Sequence, residues 1–185
     1  VSHNSSDAQT ITITLTPYID NNDDNLLDGG DCTNDNLVIV LTVEPKPTIG
    51  VAGTIGGTGF TGFGNTSASG TTADFSDIVC GESSVVMTLS NSQTPSGTLA
   101  NADMRFKVVG VSSTGSLNPA TDWTNLPTLN TEDVINNYAL LNGAVSHNSS
   151  DAQTITITLT PYIDNNDDNL LDGGDCTNDN LVIVL

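Results

Sequence analysis

The chain has 185 residues, few of them Lys, Arg or Glu, and a formal net charge of −19 at pH 7 from 22 acidic and three basic side chains. So acidic a surface is unsuited to nucleic acid and to anionic membranes, and it favours divalent cations. The charge therefore predicts no nucleic-acid partner. No apolar run approaches the ~18 residues of a membrane-spanning helix, so the sequence also predicts no membrane insertion.

Short strands dominate the predicted elements. Alternation of Thr with Ile or Leu predicts a half-buried strand at residues 10–16, and a continuous β-branched run predicts a more buried one at 37–43. Further strands are predicted at 84–89, at 104–111 and, more weakly, at 135–141, with a single helical turn at 131–134. Because clusters of Gly, Asn, Pro and Ser separate these strands, the predicted fold is all-β, a β-sandwich.

An acidic segment, DNNDDNLLDGGD, follows the first predicted strand at residues 20–31 and occurs again at 164–175. In a twelve-residue calcium loop, oxygen-bearing side chains occupy positions one, three, five, nine and twelve, and position seven binds through its carbonyl. Both segments match this spacing. The predicted Ca²⁺ ligands are Asp20, Asn22, Asp24, Leu26, Asp28 and Asp31 in the first segment and Asp164, Asn166, Asp168, Leu170, Asp172 and Asp175 in the second.

Two positions depart from the usual calcium loop. Asn25 stands at position six, where the backbone needs a positive φ that Asn tolerates, and Asp31 at position twelve is a shorter arm than Glu. Leu27 at position eight is expected to plug the core. Six carboxylates lie within the sixteen residues 20–35 and repel one another unless they are neutralised, which favours a metal. The alternative interpretation is an acidic, solvated hairpin loop.

Prolines and glycines follow the second predicted strand. The sequence EPKPT at residues 44–48 predicts a stiff, extended joint, because proline donates no backbone hydrogen bond. Residues 50–70 hold eight of the 17 glycines of the chain. This segment has three interpretations: a flexible linker, an ordered strand or ribbon that packs on a neighbouring unit, or a glycan-coated stretch.

The end of the chain repeats its beginning. Residues 1–41 recur without change as residues 145–185, an offset of 144 residues. Repetition at a fixed period is typical of arrays whose units pack on their neighbours. Since a period of 144 residues is about the length of one domain, the sequence predicts a window from a tandem array of whole domains.

Several motifs, taken in order, resemble one family. Four of them follow one another: IVCGESS at residues 78–84, DVINN at 133–137, LLN at 140–142 and TITITLTP at 154–161. The fifth, VEPKP at 43–47, follows the first copy of the repeated segment and therefore comes last in one period. This order is similar to that of the PKD-like, immunoglobulin-like (Ig-like) tandem repeats of giant adhesins in gliding, biofilm-forming bacteria, which are typically exported by the type IX route. The resemblance implies an Ig-like sandwich and a location outside the cell, which the abundance of Thr, Ser, Asn, Asp and Gly also favours.

The resemblance also implies a domain register. Residues 1–48 would be the C-terminal half of one repeat, 49–75 a Gly/Thr-rich joint or interdomain strand, and 76–185 a nearly complete repeat. The cysteines would then form a disulfide between Cys80 and Cys176, with the partner of Cys32 in the missing half of its repeat. Free thiols, or a bond between Cys32 and Cys80, are the alternatives.

The predicted function is a structural and adhesive extracellular filament of tandem Ig-like domains on a bacterial cell surface, rigidified by calcium. Its expected partners are neighbouring copies of the repeat, with surface glycans as further candidates. The alternatives are a non-covalent filament whose subunits donate strands, and a carbohydrate-binding accessory module that uses Trp123. The sequence contains no recognisable nucleophile–base pair or phosphate loop, so it predicts no enzyme.

A further hypothesis is that Arg105 and Lys107, which flank Phe106, meet the acidic loop of a neighbouring unit.

Overall fold

The computed structural model of the chain describes residues 5–65, 75–76, 78–79, 82–93, 104–144, 146 and 149–185. These residues are all-β apart from one helical turn, α1 (Pro119–Asp122). The strands are β1 (Gln9–Leu15), β2 (Tyr18–Ile19), β3 (Cys32–Thr33), β4 (Leu37–Val43), β5 (Ile49–Ile55), β6 (Thr58–Asn65), β7 (Phe75–Ser76), β8 (Ser84–Ser90), β9 (Met104–Ser113), β10 (Glu132–Val134), β11 (Ala139–Ala144), β12 (Ile155–Ile163), β13 (Cys176–Thr177) and β14 (Leu181–Val184).

Two sheets pack into a sandwich. One has the strand order β10-β9-β12-β14-β7, with β13 paired to the end of β12, and the other has the order β11-β8-β5-β6. Their facing side chains share one apolar core, in which Met87 and Leu89 of one sheet and Phe106 and Leu159 of the other are fully buried. Alternate residues of a strand point to one face, and this places the period-two apolar residues of β8 and β12 in that core. The predicted β-sandwich is therefore confirmed at this level.

The two copies of the repeated sequence fold into the same hairpins. Ile13 of β1 lies opposite Ile39 of β4, and Ile157 of β12 lies opposite Ile183 of β14. The short pairs β2–β3 and β12–β13 also share one register. The pairing therefore follows from local sequence.

The surroundings of the two copies differ. Among the described residues, β1 pairs with β4 alone, whereas β12 lies between β14 and β9. Ile13 is 40% exposed and Leu15 48%, while the equivalent Ile157 and Leu159 are fully buried. We call residues 45–144 the front half, and residues 1–43 and 145–185 the N-terminal and C-terminal back halves. Burial of a back half requires a front half against it.

The glycine-rich segment contributes a hairpin to the sandwich. Strand β5 pairs with β8 from Gly50 to Ile55 and with β6 on its other side, and Ile49 and Val51 are buried in the core. A Cβ atom at Gly53 would lie 1.8 Å from the carbonyl oxygen of Val86, so glycine is what permits this close approach. The sequence predicted a joint or interdomain strand over residues 49–75. Residues 49–65 instead belong to the sandwich, and 66–74 lie outside the described residues.

The proline segment is also fastened to the sandwich. Pro45 and Pro47 are buried. Asn178 Nδ2 donates to the carbonyl of Pro47 at 2.9 Å, and Gln93 Nε2 donates to the carbonyl of Lys46 at 2.7 Å. The sandwich therefore begins near residue 45 rather than at residue 76, because these contacts join the segment to loops of the same unit.

Most predicted strands are confirmed, and one is wrong. The predictions at 10–16, 37–43, 84–89 and 104–111 correspond to β1, β4, β8 and β9. Of the strand predicted at 135–141, only residues 139–141 are extended, as part of β11, whereas 135–138 form a turn in which Asn137 has a φ of 63°. The helical turn predicted at 131–134 is the strand β10, because Glu132 to Val134 pair with β9.

Candidate metal site

Each acidic segment is the loop of a short hairpin. Ile163, which ends β12, lies opposite Cys176, which begins β13, and the twelve residues between them form the loop 164–175. In the N-terminal back half the pair β2–β3 encloses residues 20–31 in the same way. The flanking strands hold the ends of each loop together, so the bounds of both loops coincide with the predicted segments.

The carboxylates at the two ends of the loop accept hydrogen bonds from backbone amides. Asp164 accepts one from Asn169 N at 2.7 Å, and Asp175 accepts one from Asn165 N at 3.0 Å. The corresponding bonds in the first loop measure 2.8 and 3.0 Å. These carboxylates thus fold the loop by satisfying amides that lie outside any strand.

One amide side chain links the middle of the predicted ligand set. Asn166 Nδ2 donates to Asp168 Oδ2 at 2.9 Å and to Asp172 Oδ2 at 3.4 Å. Asp168 also accepts from Leu170 N at 2.8 Å, and Asp172 accepts from Gly174 N at 2.7 Å. Positions three, five and nine therefore form one hydrogen-bonded cluster.

Left-handed residues bend both loops at the same places. Asn25 and Asn169, at position six, have φ values of 63° and 65°, which confirms the predicted positive φ there. Asp23 and Asp167, at position four, have φ values of 61° and 59°. Asn and Asp are enriched several-fold among non-glycine residues with such φ values. Because both loops share this bend in different surroundings, the bend follows from the loop sequence itself.

Within the described ranges, no three His, Cys, Asp or Glu side chains are arranged to hold a metal ion. Their oxygens face backbone amides instead. The hydrogen bond from Asn25 N is the largest influence on the pKa of Asp20 and lowers it, outweighing the opposing effect of burial. Asp20 is therefore ionised at neutral pH and available to a cation.

Glu132 on β10 fastens the second loop to the sandwich. Its Oε2 accepts hydrogen bonds from Leu171 N at 2.7 Å and from the Tyr162 hydroxyl at 2.9 Å, and its Oε1 lies 2.7 Å from Lys107 Nζ. Burial raises the pKa of Glu132, but the hydrogen bonds from Lys107, Leu171 and Tyr162 together lower it below the ordinary value. Burial also raises the pKa of Tyr162 well above its ordinary range, so its hydroxyl stays protonated and donates.

Among the described residues, the hydrogen bonds of the first loop stay within its own hairpin. Leu27, the counterpart of Leu171, is 49% exposed, whereas Leu171 is half-buried. The prediction that Leu27 plugs a core is therefore wrong in the N-terminal back half, where this side chain is exposed. The two loops share one sequence and one bend, and they differ in their attachment to a sandwich.

Glu132 was missed by the sequence analysis, and the basic pair beside it was misjudged. Residues 131–134 carry no clear strand period, so nothing placed Glu132 opposite Lys107, as the β9–β10 register does. The hypothesis was that Lys107 meets the loop of a neighbouring unit, but it reaches the loop of its own unit through Glu132. Arg105 is 8% exposed and lies opposite Tyr162 on β12.

Glu132→Gln is expected to lower the free energy of unfolding by about 1–3 kcal/mol at pH 7, because a buried, charged acceptor for three donors is weakened. Since the pKa of Glu132 is lowered in the folded protein, this stabilisation is present above the ordinary carboxyl pKa and is lost as the pH falls through the folded value. Urea unfolding of both proteins at pH 7 and pH 3 measures the difference, which should shrink at pH 3. Glu82→Gln, at an exposed position, is the matched control, and an equal difference at both pH values would contradict the prediction.

The cysteines are described only in part. Cys32 is exposed and Cys176 half-buried, and within the described residues the two are not bonded to another cysteine. The sulfur of each accepts a hydrogen bond from the Asn at position two of its own loop, at 3.5 Å from Asn21 and 3.4 Å from Asn165. Cys80 lies outside the described residues, so the disulfide between Cys80 and Cys176 stays a prediction.

In comparisons with known proteins, no family model, no curated protein and no solved structure matches this chain. In the described part of the chain, no helix is both long enough and apolar enough to cross a membrane.

Proposed function

We propose that this chain is part of a structural and adhesive extracellular filament on a bacterial cell surface, built from tandem β-sandwiches and stiffened by calcium. In this proposal its partners are neighbouring copies of the same repeat, and surface glycans are further candidates. In this proposal the protein has a mechanical role in the filament and catalyses no reaction.

One observation carries the tandem arrangement: a single sequence occupies two environments. In the C-terminal back half, Leu181 and Ile183 are fully buried in the sandwich, whereas Leu37, the counterpart of Leu181, is 56% exposed. An apolar strand face of this kind is stable when another layer covers it. A preceding unit with its own front half supplies that layer.

The short connection between units supports a stiff filament. Strand β4 ends at Val43 and β5 begins at Ile49. The buried Pro45 and Pro47 lie in this connection, and the sandwich holds both the carbonyl of Lys46 and that of Pro47. Proline restricts the backbone of such a joint, so successive units would have a defined relative orientation.

We assign the sandwich to the Ig-like, PKD-like type as part of the same proposal. The supporting features are two antiparallel sheets around one core and the order of motifs from IVCGESS to VEPKP. The parallel pairing of β14 with β7 is an addition to a purely antiparallel sandwich. The export route implied by the resemblance belongs to this proposal as well.

Calcium binding is proposed for both loops, through the oxygen-bearing side chains and the carbonyls of Leu26 and Leu170. Its support is the spacing of oxygen donors in a loop closed by paired strands, together with the left-handed residue at position six. Five carboxylates within each loop also repel one another. Binding has to exchange some hydrogen bonds to backbone amides for contacts with the ion.

Removal of calcium is expected to lower the melting temperature of the sandwich by about 5–10 °C, because an ion at about a hundred times its Kd stabilises a fold by roughly 2.7 kcal/mol. The fluorescence of Trp123, the one tryptophan of the chain, reports on the core because this side chain is 4% exposed. Melting curves with 1 mM Ca²⁺ and with excess chelator give the shift.

The duplicated loop provides a matched control for this experiment. Asp168→Ala in the anchored loop should abolish the calcium response of the Trp123 signal. Asp24→Ala, the same change in the first loop, should leave it intact because residues 21–30 of that loop are exposed. A melting temperature equal with and without Ca²⁺ would remove calcium from the proposal and leave the tandem sandwich standing.

The mass of the native protein on a denaturing gel tests the tandem array. A very large band or a ladder with a spacing of one period is the expected result, and a discrete small band would contradict a covalent array.

The carbohydrate-binding alternative gains no support from Trp123, because a ring that is buried in the core offers no platform for a sugar.

A further inference from the structure

The peptide bond between Pro47 and Thr48 is held from two distant parts of the chain. Its carbonyl oxygen, on Pro47, accepts a hydrogen bond from Asn178 Nδ2 at 2.9 Å. Its N–H group, on Thr48, donates to Gln93 Oε1. Asn178 is 131 residues from Pro47 in the chain, and Gln93 is 45 residues from Thr48. Only the folded sandwich brings these two side chains to one peptide bond.

The front half holds this segment through two neighbouring amide side chains. Gln93 Nε2 donates to the carbonyl of Lys46 at 2.7 Å, and Asn91 Nδ2 donates to the carbonyl of Thr48. Asn91 Oδ1 accepts a hydrogen bond from Gln93 N at 2.7 Å, which keeps the two side chains together. All of these residues belong to the front half, so these contacts are available before any back half is in place.

Asn178 is the contribution of the C-terminal back half. It follows β13, whose pairing with β12 sets its position, and its backbone N–H donates to the carbonyl of Pro161 at 3.4 Å. Among the described residues, its buried side-chain oxygen has no hydrogen-bond partner. A buried oxygen of this kind is unfavourable. The bond from Asn178 Nδ2 to Pro47 is therefore the contact that this side chain serves.

The held peptide bond lies in the connection between two units. Strand β4 ends at Val43 and β5 begins at Ile49, so Pro47 and Thr48 lie between the N-terminal back half and the sandwich. Both residues are buried. The backbone of a residue turns about the single bonds beside its rigid peptide groups. A peptide group that is fixed at both its carbonyl and its N–H restricts that rotation, and with it the direction in which the preceding unit leaves the sandwich.

We propose that docking of a back half onto its own front half locks the joint to the preceding unit, and that Asn178 is the positioning residue that carries this coupling. The inference rests on the tandem-sandwich part of the proposed function, and not on calcium. In an array, each joint stays free until the unit that follows it is complete, so the filament stiffens unit by unit as it folds. Because coupling is reciprocal, a locked joint also favours the docked back half.

Amide hydrogen exchange in the 185-residue chain tests the proposal. The Thr48 amide reports on the held peptide bond. The amides of Leu89 and Leu159, in the core strands β8 and β12, report on the sandwich as a whole. Asn178→Ala removes the side chain, and Asn178→Asp keeps its size but removes the donor to Pro47.

Asn34→Ala is the matched control. Asn34 is the residue of the first copy that corresponds to Asn178. It is exposed, and its Oδ1 accepts a hydrogen bond from Asp35 N at 2.8 Å within its own loop. The control therefore removes the same side chain from the same local sequence, and Pro47 loses no donor.

We expect both changes at Asn178 to speed exchange of the Thr48 amide about tenfold relative to Leu89 and Leu159, which is the effect of losing one neutral hydrogen bond. Asn34→Ala should leave this ratio unchanged. An unchanged ratio in the Asn178 variants would overturn the proposal. So would exchange that rises equally at Thr48 and at the core amides, since Asn178 would then stabilise the sandwich without acting on the joint.

The motion of the N-terminal back half gives a second measurement, which is decisive even if the variants fail to fold. In the wild-type chain, the ¹⁵N order parameters of β4 should be close to the value of about 0.85 that is typical of a rigid backbone, and Asn178→Ala should lower them below about 0.6. A wild-type β4 that already moves independently of β12 would overturn the proposal. Neither measurement bears on the gel mass of the native array, so the two proposals fail separately.

Discussion

Ile157→Ala is expected to destabilise the sandwich by about 2–5 kcal/mol, whereas Ile13→Ala, the same change in the same local sequence, should cost less than about 0.5 kcal/mol. Ile157 lies in the central strand β12, between Val111 and Ile183, and is fully buried. Among the described residues, Ile13 is paired with Ile39 across its hairpin and with no second strand, and it is 40% exposed.

The physical reason for this contrast is the cavity that the truncation leaves. Removing buried methylene groups forfeits their transfer free energy and the contacts of the cavity wall, which relaxes only partly. An exposed side chain leaves no cavity. Because the two residues have identical neighbours in sequence, differences in strand propensity cancel.

Urea unfolding of the two variants, followed by Trp123 fluorescence, measures both free energies against the wild-type chain. Ile39→Ala and Ile183→Ala form a second matched pair for the same comparison. Equal destabilisation by Ile13→Ala and Ile157→Ala would mean that the N-terminal back half is covered in solution, and it would contradict the unequal burial of the two copies.

Gly53→Ala is expected to destabilise the protein by about 3 kcal/mol, since the new methyl group would lie 1.8 Å from the carbonyl oxygen of Val86 and 3.1 Å from the Cα of Met87. Backbone atoms of a paired strand cannot move aside as a flexible side chain can. The strands β5 and β8 must separate locally and weaken their hydrogen bonds.

Gly59→Ala provides the control for this prediction. Its nearest heavy atom would be the carbonyl oxygen of Gly53 at 3.9 Å, and it lies on the edge strand β6. The change should alter the free energy of unfolding by less than about 0.5 kcal/mol. Thermal melts of both variants distinguish the strand from a linker, because alanine in a flexible linker is harmless at either position. If Gly53→Ala leaves the free energy of unfolding unchanged, residues 49–65 are a joint and not part of the sheet.

The strands that sequence analysis found are those with a clear period. β1, β8 and β12 alternate apolar and polar residues. β8 and β12 bury their apolar face, whereas the same face of β1 is exposed. For β5 and β6 the sequence leaves a linker, an ordered strand and a glycan-coated stretch open, because glycine carries no periodic signal. Their place in the sheet depends on the absence of a Cβ at Gly53, which only becomes meaningful beside Val86.

The candidate site shows a similar division. The loop bounds and the left-handed position six followed from the spacing and type of residues within twelve positions. Glu132 could not be found in that way, since it is 39 residues from Leu171 in the chain and meets it only through the sheet. The same holds for Lys107, whose partner is set by the β9–β10 register.

The sequence by itself determined the β class, the 144-residue period, the hairpin registers and the bend of the acidic loops. The registers and the bend depend on residues close together in the chain, because the two copies adopt them in different surroundings. Only the tertiary structure decided which copy is buried, that 45–65 belongs to the sandwich, and that Glu132 anchors one loop. These features arise from contacts between distant segments, and no local pattern can encode whether a front half lies against a given back half.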